Sequence, residues 1–276
     1  MTPSIISVDW LKNHLDDEEL IILDASQKSV QSDDVASTQN VRIPGARKFD
    51  LKNDFSQPKG MFPNTFPEIR TFENGCRKLG VNQSSKIVIY DNLGIYSSPR
   101  AWWMFRTFGH QSVSVLDGGL PAWINAGFET EITKNTTLDM GDFVASLNAF
   151  AVKNIDDIKA NISTQNEWLI DARSPGRFNG TDPEPREGFL SGHIPNSINI
   201  PFKQVLNKGK LKTKNELLEI FKTIPNKDKP LIFSCGSGVT ACIVYLAAEQ
   251  VLDNSKSVYD GSWTEWATLN TKDLIV

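Results

Sequence analysis

The stretch Leu231-Ile232-Phe233-Ser234-Cys235-Gly236-Ser237-Gly238-Val239-Thr240-Ala241 reads as a short strand, a tight turn and the start of a helix. The apolar opening has the length of a buried strand, two glycines break the pattern, and Cys242 to Ala248 continues as an apolar helical run. An earlier stretch, Ile87-Val88-Ile89-Tyr90-Asp91, has the same strand character and also leads into a helical pattern, so Asp91 and Cys235 occupy matching positions. The correspondence extends outward. Leu20 to Leu23 followed by Asp24-Ala25-Ser26 matches Trp168 to Ile170 followed by Asp171-Ala172-Arg173-Ser174, and Arg42-Ile43-Pro44-Gly45-Ala46 matches His193-Ile194-Pro195-Asn196-Ser197. Leu116-Asp117-Gly118-Gly119-Leu120-Pro121-Ala122-Trp123 likewise matches Tyr259-Asp260-Gly261-Ser262-Trp263-Thr264-Glu265-Trp266. Offsets of 147 (Asp24 to Asp171), 144 (Asp91 to Cys235) and 143 (Asp117 to Asp260) identify two copies of one unit.

Each copy alternates short β-branched runs with helical patterns such as Pro99 to Phe108 and Lys214 to Lys222. That alternation predicts an α/β fold made of two tandem domains, each a mainly parallel sheet flanked by helices. The Thr-, Lys- and Asp-rich segment 129–142 reads as the linker, which divides the chain into domains 1–140 and 141–276.

Composition narrows the function classes. The 276 residues carry 29 Lys plus Arg against 33 Asp plus Glu, a formal net charge of −4, which disfavours an electrostatic nucleic-acid binder. Ala241 to Ala248, the longest uninterrupted apolar stretch, falls far short of the roughly 18 residues of a membrane-spanning helix. The acidic cluster Asp16-Asp17-Glu18-Glu19 is the reverse of a signal or transit peptide, so a cytoplasmic location is expected. Cys76, Cys235 and Cys242 are odd in number and widely spaced, which argues for free thiols rather than a disulfide framework or a structural metal site.

Binding crevices in open α/β sheets lie beyond the carboxyl ends of strands, where Cys235 falls. Gly236 and Gly238 let the backbone curl so that successive amides face inward, and the following helix N-terminus adds partial positive charge, an environment that stabilises a thiolate. A small buried cysteine after a strand is the competing reading, and the glycine-rich context favours the reactive one. Asp91 cannot act as a sulfur nucleophile, and Asn92-Leu93-Gly94-Ile95-Tyr96 does not reproduce the glycine-rich turn, so the repeat has one working half and one supporting half.

The loop Gly176-Arg177-Phe178-Asn179-Gly180-Thr181-Asp182-Pro183-Glu184-Pro185-Arg186 holds two of the three arginines found after Met140. Two forked cations in one loop point to recognition of a planar carboxylate, with salt bridges to Asp182, Glu184 or Glu187 as the alternative. Arg173, directly after Asp171-Ala172, reads as structural. His193 reads as a hydrogen-bonded turn residue, His14 and His110 carry no motif, Cys242 and the Trp102-Trp103-Met104-Phe105 run read as packing, and Cys76 has no visible partner.

Taken together, these blocks resemble the tandem-domain rhodanese family of sulfurtransferases from Ile6 to about Leu269. Cys235-Gly236-Ser237-Gly238-Val239-Thr240 looks like the active-site loop of its 3-mercaptopyruvate-using members; the thiosulfate-using members carry Arg and Lys where this chain has Gly236 and Ser237. The resemblance places the family's substrate-carboxylate arginines on Arg177 and Arg186 and its C-terminal motif on Gly261 to Trp266. It implies a Cys235 persulfide, anionic sulfur held by the backbone of Gly236, Gly238, Val239 and Thr240, and a Ser237 hydroxyl that donates a hydrogen bond or relays the thiol proton. The implied substrate is 3-mercaptopyruvate and the implied acceptors are cyanide, a small thiol or thioredoxin, with no metal or organic cofactor, nucleic acid or membrane involved. Many relatives carry His before the first Ile-Pro-Gly, where this chain has Arg42. Phosphatases of related shape need Arg six residues after the cysteine, and Ala241 stands there. Thiosulfate:cyanide transfer and a non-turnover persulfide carrier or regulatory module are the competing functions.

Overall fold

The computed structural model describes residues 2–27, 41–57, 60–132, 138–186, 188–225 and 228–269. The chain divides into two compact units. Met1–Pro58, Phe66–Leu147 and Lys208–Leu211 form the first; Lys59–Thr65, Asn148–Asn207 and Lys212–Val276 form the second.

In the first unit five strands lie in the order Ile5–Ile6, Val113–Leu116, Lys86–Tyr90, Leu20–Asp24 and Arg47–Lys48, and every neighbouring pair is parallel. In the second, the order is Ser197–Asn199, Trp168–Asp171, Leu231–Ser234, Lys256–Tyr259 and Val152–Lys153, again parallel throughout. Read from opposite ends the two orders coincide block for block, with Lys86–Tyr90 and Leu231–Ser234 as the two central strands. Parallel neighbours need crossover helices, which cover both faces, so the inner strands are apolar runs rather than alternating ones. All four residues of Leu231–Ser234 and of Val113–Leu116 are buried accordingly.

The helices follow from local chemistry. Ser98–Thr107 begins with Pro99 at its first turn, and Lys214–Phe221 starts from a capping box in which Thr213 and Glu216 satisfy each other's backbone donors. Ala241–Glu249 is apolar on nearly every face, and seven of its nine residues are buried. The aromatic run beginning at Trp102 is core of the first unit: Trp102, Trp103, Met104 and Phe105 are all buried, and the Phe105 ring lies 5.1 Å from that of Phe72.

The described residues of segment 129–142 make backbone pairings that composition does not predict. Glu131–Ile132 pairs antiparallel with Val41–Arg42, and the Arg42 Nε donates to Glu131 Oε1 at 2.7 Å. Farther on, the Gly141 amide donates to Arg77 O at 2.8 Å and the Phe143 amide to Val81 O at 3.1 Å. A side chain at Gly141 would meet the Val81 carbonyl oxygen at 2.0 Å, so this close approach needs glycine. Composition registers polarity but not backbone pairing, and a two-residue strand has no periodicity to detect.

Candidate active site

The strand Leu231–Ser234 delivers Cys235 to the carboxyl end of its sheet, where the thiol-bearing residue is only 1% exposed. The first turn of the helix Ser262–Leu269 pins this loop from its carbonyl side. The Trp263 amide donates to Cys235 O at 2.9 Å, and Gly236 O accepts both the Thr264 amide at 3.0 Å and Thr264 Oγ1 at 2.6 Å. Ser262 holds a left-handed backbone at φ 51°, an uncommon conformation for a residue with a side chain, and its Oγ accepts the Cys235 amide at 3.2 Å. With the carbonyls committed to that helix, the other side of the loop presents amides. Those of Gly236, Ser237, Val239 and Thr240 meet no acceptor among the described residues. Gly238, at φ 77°, makes the turn that aligns them with the helix Ala241–Glu249. Four open donors beside one thiol form a cradle for an anion.

The first unit shows what such a cradle holds. Asp91, at the position matching Cys235, is fully buried, and its Oδ2 accepts the amides of Tyr96, Ser97 and Ser98 at 2.8, 3.0 and 2.9 Å and Ser98 Oγ at 2.6 Å. Its Oδ1 takes the Leu93 amide at 3.0 Å. One copy of the scaffold therefore fills its own cradle with a carboxylate, while the other leaves the amides open beside a sulfur. Removing that carboxylate strands several buried donors, each worth about 1 to 3 kcal/mol when left unpaired. Asp91→Ala is expected to lower stability by about 3 to 5 kcal/mol, and Asp91→Asn, which keeps one oxygen acceptor, by less. Urea unfolding of the two variants measures this; an Asp91→Ala midpoint equal to wild type would contradict the cradle.

The arginine loop lies against the same turn, and its two guanidiniums and that of the preceding Arg173 are each held differently. Arg173 is buried between Asp171 and Glu184, with Nη2 2.6 Å from Asp171 Oδ2 and Nη1 2.9 Å from Glu184 Oε1, and its guanidinium lies 4.1 Å from the Trp263 ring. It is structural. Arg177 meets Glu184 with both arms of its fork, Nε to Oε1 at 3.0 Å and Nη2 to Oε2 at 2.5 Å, so one of the salt bridges weighed against carboxylate binding is made. A Cβ at Gly236 would lie 2.9 Å from Arg177 Nη2, which places that guanidinium beside the cysteine loop. Asp182 packs against Gly176, and Glu187 lies outside the described residues. Arg186 differs from both: among the described residues it pairs with no carboxylate, and its Nη1 donates to Thr264 Oγ1 at 3.0 Å. Burial lowers its pKa, while Glu184 and Cys235 lie close enough to pull it back up.

A rhodanese-like domain model matches residues 7–126 and again 154–269. The chain belongs to the rhodanese family. It is 40% identical to 3-mercaptopyruvate sulfurtransferase of Escherichia coli (strain K12), an alignment covering 96% of this chain and 95% of that protein. It is 39% identical to thiosulfate/3-mercaptopyruvate sulfurtransferase 1, mitochondrial, of Arabidopsis thaliana, over 96% of this chain and 76% of the relative. Among solved structures, SseA from Escherichia coli, presented with the rhodanese fold and catalytic mechanism of 3-mercaptopyruvate sulfotransferases, matches with a TM-score of 0.83 and 38% identity, covering 95% of this chain and 99% of SseA. The two rhodanese domains and their parallel sheets are those anticipated from the internal repeat.

Several side chains of this rhodanese site had no signal in the sequence. Asn64, itself left-handed at φ 59°, belongs to the second unit and donates from Nδ2 to Ser237 Oγ at 3.1 Å, across 173 positions of chain. Ser262 and Thr264 stand inside a recognisable motif, but only the fold shows that their hydroxyls grip the cysteine loop. The histidines lie elsewhere. His193 Nδ1 is 3.0 Å from Phe178 O and its ring stacks on Phe178 at 4.2 Å, His14 stacks on Trp10 at 3.9 Å, and the buried His110 meets Ser85 O at 2.8 Å. Cys242 donates its thiol to Gly238 O at 3.4 Å, and burial pushes the Cys76 thiol well up from its ordinary pKa, so it stays protonated. No helix among the described residues is long and apolar enough to cross a membrane, and no group of three or more His, Cys, Asp or Glu among them is arranged to hold a metal ion.

Proposed function

We propose that this rhodanese transfers the sulfur of 3-mercaptopyruvate to a thiol or cyanide acceptor through a persulfide on Cys235, with the second unit catalytic and the first, with Asp91 at the matching position, supporting it. The observation that carries the reading is the juxtaposition of a thiol, four acceptor-free amides and two guanidiniums at one strand end. The names of the relatives agree with it.

The Cys235 thiolate attacks the sulfur of 3-mercaptopyruvate, an S–S bond forms, the C–S bond breaks, and its electron pair leaves on carbon as the enolate of pyruvate. A proton taken up at that carbon gives pyruvate, and Cys235 carries the persulfide. Arg186 and Arg177 hold the substrate carboxylate and ketone oxygen, which also disperses the enolate charge. Gly236, Ser237, Gly238, Val239 and Thr240 surround the anionic sulfur with backbone donors. Because Asn64 donates into Ser237 Oγ, the Ser237 hydroxyl proton remains available to a sulfur or to the departing enolate. In the second half-reaction, cyanide, a small thiol or reduced thioredoxin attacks the outer sulfur and regenerates the thiolate.

Thiosulfate is the second reading, favoured by the double activity in the name of the Arabidopsis relative and by the Arg177 guanidinium beside Gly236. A side-by-side assay decides between donors: multiple turnovers of pyruvate from 3-mercaptopyruvate with cyanide present, at a kcat/KM well above that for thiosulfate, is the expected result. A higher kcat/KM with thiosulfate would reverse the assignment. A single equivalent of pyruvate per chain would identify a carrier instead of an enzyme.

A further inference from the structure

Thr264 stands between the two halves of the site. Its Oγ1 donates to Gly236 O at 2.6 Å and accepts Arg186 Nη1 at 3.0 Å, while its amide holds the same Gly236 oxygen at 3.0 Å. Thr264 itself is buried, and both bonds are part-buried. A hydroxyl has one proton, and here it is committed to Gly236, which turns the oxygen lone pairs toward the guanidinium. Arg186 is thereby tied to the backbone of the residue that follows Cys235.

The chemistry of the anchor matters as much as its position. Arg177 and Arg173 are anchored by Glu184, a charge that offsets theirs and competes with any incoming anion. A threonine hydroxyl orients a guanidinium and leaves its full charge for a ligand. We infer that Thr264 is a positioning residue that aims Arg186, which pairs with no carboxylate among the described residues, at the substrate carboxylate and couples that clamp to the Cys235 loop. The inference rests on the sulfur-transfer reading above, and its test is arranged so that the two fail separately.

Thr264→Val keeps the shape, removes both side-chain hydrogen bonds and leaves the backbone bond to Gly236; Thr264→Ser restores the hydroxyl. With 3-mercaptopyruvate and cyanide, Thr264→Val is expected to raise KM about 5- to 10-fold, the order of one ordinary hydrogen bond because Arg186 keeps its own contact to the substrate, with kcat within about 2-fold. Thr264→Ser should stay within about 2-fold of wild type on both parameters, and Thr264→Val should add nothing in an Arg186→Ala background. The dissociation constant of pyruvate, read by titration calorimetry, should follow the same pattern without requiring turnover. A normal pyruvate affinity in Thr264→Val, or an equal loss with and without Arg186, would overturn the role of Thr264. Wild-type protein that binds pyruvate and releases none from 3-mercaptopyruvate would count against the sulfur-transfer reading while the binding cycle still judged Thr264. Wild-type protein that does neither would overturn both.

Discussion

Cys235→Ser is expected to lose sulfur transfer to the level of background, a fall in kcat of at least about 10⁴-fold, as removal of a covalent nucleophile does in other enzymes. Serine fits the site sterically, because the side chain is smaller by little more than the difference between sulfur and oxygen, and the loop is held by backbone bonds to Trp263, Thr264 and Ser262 that the substitution does not touch. The variant should therefore fold, which circular dichroism and an unchanged unfolding midpoint verify. Loss of activity then reports on chemistry. An alkoxide is far harder to form than a thiolate at neutral pH, and no described histidine lies in the loop to act as its base. Cys76→Ser and Cys242→Ser provide the controls, since one thiol is buried in the first unit and the other donates to Gly238 O within its own helix turn. Both should retain turnover. Turnover by Cys235→Ser comparable to wild type would remove the nucleophile from the account.

Arg186→Ala should reduce kcat/KM for 3-mercaptopyruvate by about 10- to 150-fold, the range for losing a hydrogen bond to a charged group worth roughly 1.5 to 3 kcal/mol. Arg177→Ala should cost less, about 3- to 10-fold, because the planar edge of that guanidinium already faces Glu184 and only its remaining donors are open to a ligand. Arg186→Lys should recover part of the loss, since an ammonium restores the charge without the fork. Steady-state kinetics of the three variants measure the ranking. If Arg177→Ala proved the more damaging, the carboxylate would sit on the Glu184-paired arginine and Arg186 would have another task; wild-type kinetics from the double variant would exclude this loop from substrate binding altogether.

The repeat, the parallel sheets and the place of Cys235 were legible because they rest on local patterns: apolar runs of strand length, a glycine-bearing turn, and blocks recurring at nearly constant offsets. The contrast between Asp91 and Cys235 was legible too, but its meaning was not. The sequence shows that the halves differ there, whereas the convergence of the Tyr96, Ser97 and Ser98 amides on Asp91 requires the folded loop. Partner choice among charges was hidden for a similar reason. The loop and the residue after it offer three acidic candidates close to Arg177 along the chain, and the side chain that meets it, Glu184, is brought there by the turn at Gly176, where the Thr181 and Asp182 amides both donate to the Gly176 oxygen. Asn64 is the extreme case: it reaches Ser237 over a separation at which one sequence holds no signal. The strand Glu131–Ile132 was hidden inside a polar segment, since it depends on an edge supplied by Val41–Arg42 and on the Arg42–Glu131 ion pair. That pair also gives Arg42 a structural partner.

Intact-protein mass spectrometry tests, without reference to any acceptor, whether sulfur rests on Cys235 between the two half-reactions. Wild-type protein incubated with 3-mercaptopyruvate, desalted without thiols and measured at once should gain one sulfur, about 32 Da, as a single covalent intermediate requires. Peptide mapping should place that mass on Cys235, and Cys235→Ser should not gain it. An adduct that persists in Cys235→Ser, or pyruvate release from wild type with no sulfur retained on the protein, would contradict the account.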